Sequence, residues 1–271
     1  MTLQSFLGKN YKWFYFITFG YKTESAYRGN NIVWSLSGLF YCLVLAFTWI
    51  VATKNSTTYS TNEIVSYVIF TNIWVSLHNS WLNVSLGNRI LNGTFNTSLL
   101  FPTSYFWHQF WAYIGRSVIN YFLLNLPAFL VIILVFKDRF LLPSSANNLI
   151  LTFGLVPICY FLYHCIVFII GCSAFWLKQT DAVDTFYYSF RNFLRGDNIP
   201  VGILVGYLGI WLTWTPFAWF GYRPFEIYLG KYSQLEILQT FAGGIIWCLI
   251  LFVLARIVFK MGLKRNEAVG L

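Results

Sequence analysis

The residues able to do chemistry are few, and their placement argues against catalysis. His78, His108 and His164 fall in separate segments, each among aromatic or aliphatic neighbours. A lone histidine inside a membrane span is read first as a packing or hydrogen-bonding residue and second as a proton relay. Cys42, Cys159, Cys165, Cys172 and Cys248 all lie in apolar stretches, with no CxxC pair and no histidine at zinc-ligand spacing. They read as small buried hydrophobes, so neither a metal nor a bound cofactor is expected. No GxxxxGK[ST], GxSxG or HExxH motif occurs; Gly8-Lys9 and Gly230-Lys231 lack the first glycine and the following Ser or Thr. The chain has no recognisable route to ATP hydrolysis, so uphill transport would draw on an ion gradient or a partner subunit.

Charge within oily sequence is more informative, because it is expensive there. Arg191 and Arg195 are four apart on one helix face, beside the break Gly196-Asp197-Asn198-Ile199-Pro200. Two readings stand. Either they form an electropositive point near the outer mouth that meets an anionic headgroup or substrate, or they snorkel to lipid phosphate or pair with Asp197. Asp181 and Asp184 fit the cytoplasmic end of the same helix. Gly202, Gly206 and Gly209 follow i, i+4, i+7 spacing, suited to close helix packing or a dimer contact.

The elements that must position these residues follow from composition. Of 271 residues, 58% are hydrophobic, 21% aromatic and 10% charged, against about 25% charged in a soluble domain. Lipid is therefore the solvent for most of the chain. Disordered, disulfide-scaffold and β-barrel classes are excluded, the last because the apolar blocks are long rather than alternating. The net charge of +9 points to the positive-inside bias before any nucleic acid. Spans of about 20 apolar residues are expected near Ile32–Val51, Ile64–Asn88, Ser117–Phe136, Leu149–Leu177 and Ile237–Phe259. Thr180–Arg195 supplies another, although plain hydropathy would choose Ile199–Phe220 instead.

The expected fold is an all-α polytopic membrane protein of six transmembrane helices, forming a single domain over 1–271. Lys9, Lys12, Lys22, Arg28, Arg89, Arg116, Lys178 and the C-terminal Arg256, Lys260, Lys264 and Arg265 outnumber Lys54, Lys137, Arg139, Arg223 and Lys231 on the opposite side. Both termini are therefore placed in the cytoplasm. Residues 1–28 mix cations with aromatics and read as an amphipathic elbow helix in the headgroup plane, or else as a short soluble arm. Residues 87–116 carry polar groups that lipid cannot satisfy, so they are expected at the membrane surface with helical pieces. Within them Gly93 and Pro102 bound a helix-capable segment that Trp107 and Trp111 hold at the interface. Residues 197–232, preceded by the break at Gly196 and punctuated by Pro200, Pro216 and Pro224, are expected to form a re-entrant hairpin.

The order of these features resembles bacterial ABC transporter permeases of the type-2 exporter class. The resemblance runs through Tyr27-Arg28-Gly29-Asn30, then Ile90-Leu91-Asn92-Gly93-Thr94-Phe95 with Leu99-Leu100-Phe101-Pro102 and Tyr105. It continues through Phe193 to Pro200, Pro216-Phe217, Tyr222-Arg223-Pro224, Leu229-Gly230 and the tail Glu267-Ala268-Val269-Gly270. It implies a six-span exporter fold, with a coupling helix between spans two and three built on Arg89, Ile90, Asn92, Gly93, Phe95, Leu99, Pro102 and Tyr105. It also implies an extracellular hairpin, separate ATPase subunits holding ATP and Mg, and a second permease chain, same or related. Leu91 and Phe101 depart from the pattern, standing where such segments carry cations. This half would then engage its ATPase through apolar anchoring, or be the weaker half of an asymmetric pair.

The reading is thus the permease subunit of an ATP-driven exporter in the plasma (inner) membrane, in contact with membrane lipids and not nucleic acid. It has no catalytic residues of its own, and its cargo is amphipathic or hydrophobic, suited to an aromatic cleft. The alternative is an ion-coupled secondary transporter with its substrate site at the broken helices. Against it, the clear spans hold almost no carboxylate for proton coupling. An intramembrane enzyme is disfavoured by the lack of a Ser-His or His-Asp pair.

Overall fold

The computed structural model describes residues 3–26, 28–54, 60–78, 82–100, 104–177, 179–197 and 207–266. Among them the regular structure is entirely helical. The first half of the chain contains α1 (Leu3–Ala26), α2 (Arg28–Ala52), α3 (Thr61–His78), α4 (Leu82–Leu91), α5 (Phe95–Leu99), α6 (Tyr105–Asn120) and α7 (Leu126–Val135). The second half contains α8 (Ala146–Gly154), α9 (Val156–Gly171), α10 (Asp181–Arg195), α11 (Tyr207–Trp214), α12 (Tyr222–Tyr228) and α13 (Gln234–Arg265). Three helical stretches are long and apolar enough to cross a membrane: Gly29–Ala52, Ala146–Phe175 and Gln234–Arg265.

A π-helical turn, Tyr121–Asn125, joins α6 to α7. It lies just before Pro127, which sits in the first turn of α7. Proline cannot donate to the helix ladder, and a wider turn re-accommodates the backbone around it. The result is helical backbone from Tyr105 to Val135. Within the expected surface segment, the irregular part lies between α4 and α6, and Tyr105–Gly115 is helix packed against the rest of the protein. Sequence polarity marks the break correctly, but the aromatic run after it is covered by tertiary contacts. Trp107 and Trp111 accordingly pack among Phe110, Phe161, Phe252 and Trp13.

α1 is docked along α6 by small residues. A Cβ on Gly20 would lie 2.1 Å from the Ala112 carbonyl oxygen, and one on Gly115 would lie 2.1 Å from that of Ile17. Two backbones approach this closely only where side chains are missing. Phe16 packs edge-on to His108, with ring centroids 4.3 Å apart. The opposite face of α1 exposes Phe14, Tyr15, Phe19 and Tyr21.

Most of the start of the expected hairpin, residues 198–206, lies outside the described residues. From α11 the backbone runs through a 3-10 turn, Pro216–Phe220, into α12. α11 ends at Trp214, two residues before Pro216. Pro216 and Pro224 each occupy a first turn, where a missing N–H costs least; Pro200 lies outside the described residues. Fully buried Trp219 anchors the hairpin. Its indole N–H donates to the Thr240 carbonyl at 3.0 Å, and its own carbonyl accepts from the Trp74 indole at 3.2 Å. Arg223 donates to the Thr213 carbonyl at 2.9 Å and the Thr240 hydroxyl at 3.0 Å, stacked between Trp214 and Trp219. Gly243 and Gly244 make room on α13: a Cβ on Gly244 would stand 2.7 Å from the Trp219 nitrogen.

At the loop end of α12, Lys231 pairs with Glu63. Burial pushes the nearby Glu226 carboxyl up to about 6, helped by Glu63 and Glu236 and opposed by Lys231. A raised carboxylate pKa means the folded state binds the proton more tightly than the unfolded one. That stability is therefore present below about 4.5 and lost as pH rises through about 6. Thermal unfolding in detergent should show Tm falling over this window, and Glu226→Gln should remove that component. A second expectation concerns α1: Gly115→Val should cost about 1–3 kcal/mol by overpacking, read as a lowered Tm with α1 more open to proteolysis.

Candidate functional site

A cavity of about 680 Å³ lies between α2, α3, α6, α7 and α10. Its lining is unusual for an oily bundle. α2 contributes a polar and small stripe, Asn30, Asn31, Trp34, Ser35, Gly38 and Tyr41, at the 3–4 residue spacing of one helix face. α3 adds Asn72 and Ser76, and α4 adds Ser85. Across from them stand Tyr113, Arg116, Ser117 and Asn120 of α6, then Asn125 at the end of the π turn. The hydroxyls of Ser37, Ser76 and Ser117 donate to their own helices at 2.9, 2.7 and 2.9 Å, which leaves their oxygens as acceptors.

The remaining wall holds the expected arginines. Arg195 and Asp197 are 3% and 6% exposed and form an ion pair. Gly196, at φ +75°, makes the pair possible: its left-handed turn ends α10 and lets the Asp197 N–H donate back to the Asn192 carbonyl at 3.0 Å. Arg195 also donates to the Asn192 amide oxygen at 3.1 Å. Arg191 is held differently. It donates to the Tyr163 hydroxyl at 3.1 Å, and its guanidinium lies 4.4 Å from the Tyr188 ring centroid. Of the two sequence readings for Arg195, pairing with Asp197 is the observed one. Both arginines line the cavity. The lining thus carries three guanidinium groups and one carboxylate.

A second arrangement lies at the α4–α6 connection. Gly93, at φ +71°, turns the chain after α4 into the short α5. Phe95, 1% exposed, plugs that helix into the bundle, its ring 5.1, 5.6 and 6.0 Å from those of Tyr105, Phe175 and Phe259. Gly262 of α13 admits Phe175, since a Cβ there would stand 2.2 Å from its ring. Arg89 reaches the Ser98 hydroxyl at 3.4 Å, and the Asn266 amide donates to the Asn96 oxygen at 2.7 Å. Ile90 and Tyr105 are buried, Asn92 is exposed, and Leu99 and Leu100 point outward at 44% and 85% exposure. Pro102 lies outside the described residues. One short helix is therefore wedged against α6, the end of α9 and the C-terminal part of α13, with an apolar face left outside.

A family model described as ABC-2 family transporter protein matches residues 34–270. The chain belongs to this family. No curated protein and no solved structure matches it. As an ABC-2 permease it is an integral membrane component of an ABC transporter and associates with separate subunits that hydrolyse ATP.

The structure brings Arg191, Arg195 and Gly196 together around the cavity, and the α4–α6 residues together at the wedge. The two groups are separate sites. Sequence reading missed the polar stripe of α2 because it scored that helix for charge, and amides and hydroxyls carry none. Asn30, Asn31, Ser35, Ser37 and Gly38 within an uncharged span were the available signal. The aromatics of α6, α9 and α13 pack on each other as core, and the cavity lining mixes polar groups with Trp34, Tyr41, Tyr113 and Phe129. Removing one partner of a buried ion pair costs about 3–5 kcal/mol, whereas replacing both by apolar groups is often neutral. Asp197→Ala should therefore lower thermal stability far more than the double change Arg195→Met with Asp197→Leu, both read by unfolding in detergent.

Proposed function

We propose that this permease is one half of the translocation path of an ATP-driven exporter. It would span the plasma (inner) membrane six times with both termini in the cytoplasm. The spans would be α2; α3 with α4; α6 with α7; α8 with α9; α10; and α13. α1 would serve as the elbow and α11–α12 as the hairpin on the outer side. The observation that carries this reading is the Phe95 wedge. An ATPase closing on nucleotide must push on something rigid, and a helix jammed by a buried aromatic against three spans transmits force where a loose loop would not. The outward Leu99 and Leu100 suit the apolar engagement implied by the missing cations. The exposed faces of α2 and α13 are those that lipid and a second permease chain would cover.

Ion coupling is the weaker reading. The one carboxylate in the cavity lining, Asp197, is paired with Arg195, which leaves it poorly suited to carry a proton across. Gentle-detergent purification should co-isolate a soluble subunit with a phosphate loop, on which transport depends. Phe95→Ala should leave the complex assembled and its ATP hydrolysis near normal, while transport per ATP drops about tenfold. Loss of the ATPase subunit from wild-type preparations, or full transport in the variant, would contradict the assignment.

A further inference from the structure

We infer that the cavity receives the anionic, hydroxyl-bearing headgroup of an amphiphile. This rests on the reading of the cavity as part of the translocation path, and it names what that path recognises. Three guanidinium groups against one carboxylate leave the lining cationic. Arginine suits such a site because its planar fork matches phosphate or carboxylate oxygens two at a time. Arg191 is the half-buried part of this charge, whereas Arg195 is buried. Arg191 donates to the Tyr163 hydroxyl and lies on the Tyr188 face, and among the described residues it makes no direct ion pair, Asp197 being paired with Arg195.

The rest of the lining mixes amides and hydroxyls with apolar and aromatic groups, among them Val75, Ala128 and Phe129. Asn72 and Asn125, with the acceptor oxygens of Ser37, Ser76 and Ser117, face the same volume. Amides donate and accept, and seated hydroxyls accept, which complements the hydroxyls of a polyol, while the apolar part of the wall suits the start of a tail. A simple counter-ion site would need the arginines but not this lining. At about 680 Å³ the cavity is within the range of small-molecule sites, roughly 300–1,000 Å³, and is ample for one phosphorylated polyol.

The tail has a place outside. Trp34 lines the cavity yet is 60% exposed, and Leu36 and Phe40 on the same helix are 58% and 68% exposed. α2 therefore presents a polar stripe to the cavity and an apolar one beside it, an edge over which a head could enter while its chain stays in lipid. Gly38 sits on this edge. A Cβ there meets nothing within 4 Å, so the position looks into open space.

The test measures binding to the purified chain alone, by titration calorimetry in neutral detergent. The probes are dioctanoyl phosphatidylglycerol, dioctanoyl phosphatidylcholine and free glycerol 1-phosphate. Phosphatidylglycerol should bind at least tenfold tighter than phosphatidylcholine. Arg191→Gln should weaken it about tenfold or more, and Arg191→Lys should recover much of the loss. Gly38→Trp should fill the cavity and abolish binding with Tm unchanged, which keeps the test valid if the arginine variants unfold. Glycerol 1-phosphate binding at least tenfold weaker than phosphatidylglycerol would support a lipid-borne head; equal binding would overturn the amphiphile assignment in favour of a soluble anion. Equal binding of the two lipids, or tight binding to Gly38→Trp, would overturn the site itself. No ATPase is present, so failure here leaves the exporter reading standing, and failure of ATPase co-purification leaves this one standing.

Discussion

Guanidinium groups inside a helix bundle must be held by protein, because lipid offers them neither water nor counter-charge. Much of this molecule follows from that constraint. Gly196 takes a left-handed turn so that Asp197 can lie against Arg195. α9 supplies Tyr163, and α10 supplies Tyr188, so that Arg191 can be buried without a carboxylate. The cavity these groups line is tolerable in an oily chain only because α2, α3 and α6 present amides and hydroxyls to it, several already satisfied by their own helices. The π turn before Pro127 belongs to the same arrangement, since it carries Asn125 into the wall. Irregular backbone occurs where protein or polar groups can absorb it.

The wedge at α5 obeys the opposite chemistry. Phe95, Tyr105, Phe175 and Phe259 form an aromatic joint with no charge at its centre, and Gly262 is small so that the joint can close. The joint touches α6, the same helix that places Tyr113, Arg116 and Ser117 in the cavity wall. α4, leading into the wedge, also meets the start of α10: a Cβ on Gly87 would stand 3.2 Å from the Thr180 hydroxyl. The α4–α5 region thus touches both α6 and the start of α10, the two helices that carry the arginines of the cavity wall, through packed contacts. Trp219 and Arg223 do the equivalent work at the hairpin, fixing a broken segment to α13 and α3 so that its free backbone groups stay covered.

How much of this was legible beforehand varies with the physics. Membrane residence and helical class followed from composition, since too few charges exist to cover 58 aromatic residues in water. The breaks at Gly93 and Gly196 were legible because polar or glycine-bearing runs cannot continue a span, and both glycines do adopt positive φ. The start of α6 was not legible. Nothing local shows that Tyr105–Tyr113 will be covered, because the covering helices α1, α9 and α13 come from distant parts of the chain. The cavity was half legible: Arg191 and Arg195 stood out by charge, but the stripe on α2 is uncharged and hides within a good hydropathy score. Arg116 was counted only as an orientation signal, and its place in the cavity wall appears once α6 is known to be continuous.

If the cavity belongs to the proposed translocation path, its access should change when a partner ATPase is loaded. A single cysteine at Gly38, in a chain whose five native cysteines are replaced, reports this directly when the complex is sealed in vesicles of known orientation. Its reaction rate with a membrane-impermeant maleimide should be measurable from the cytoplasmic side without nucleotide, and should fall at least tenfold when the ATPase is trapped with vanadate. A rate that ignores nucleotide, or a residue that never reacts from the cytoplasmic side, would contradict the account.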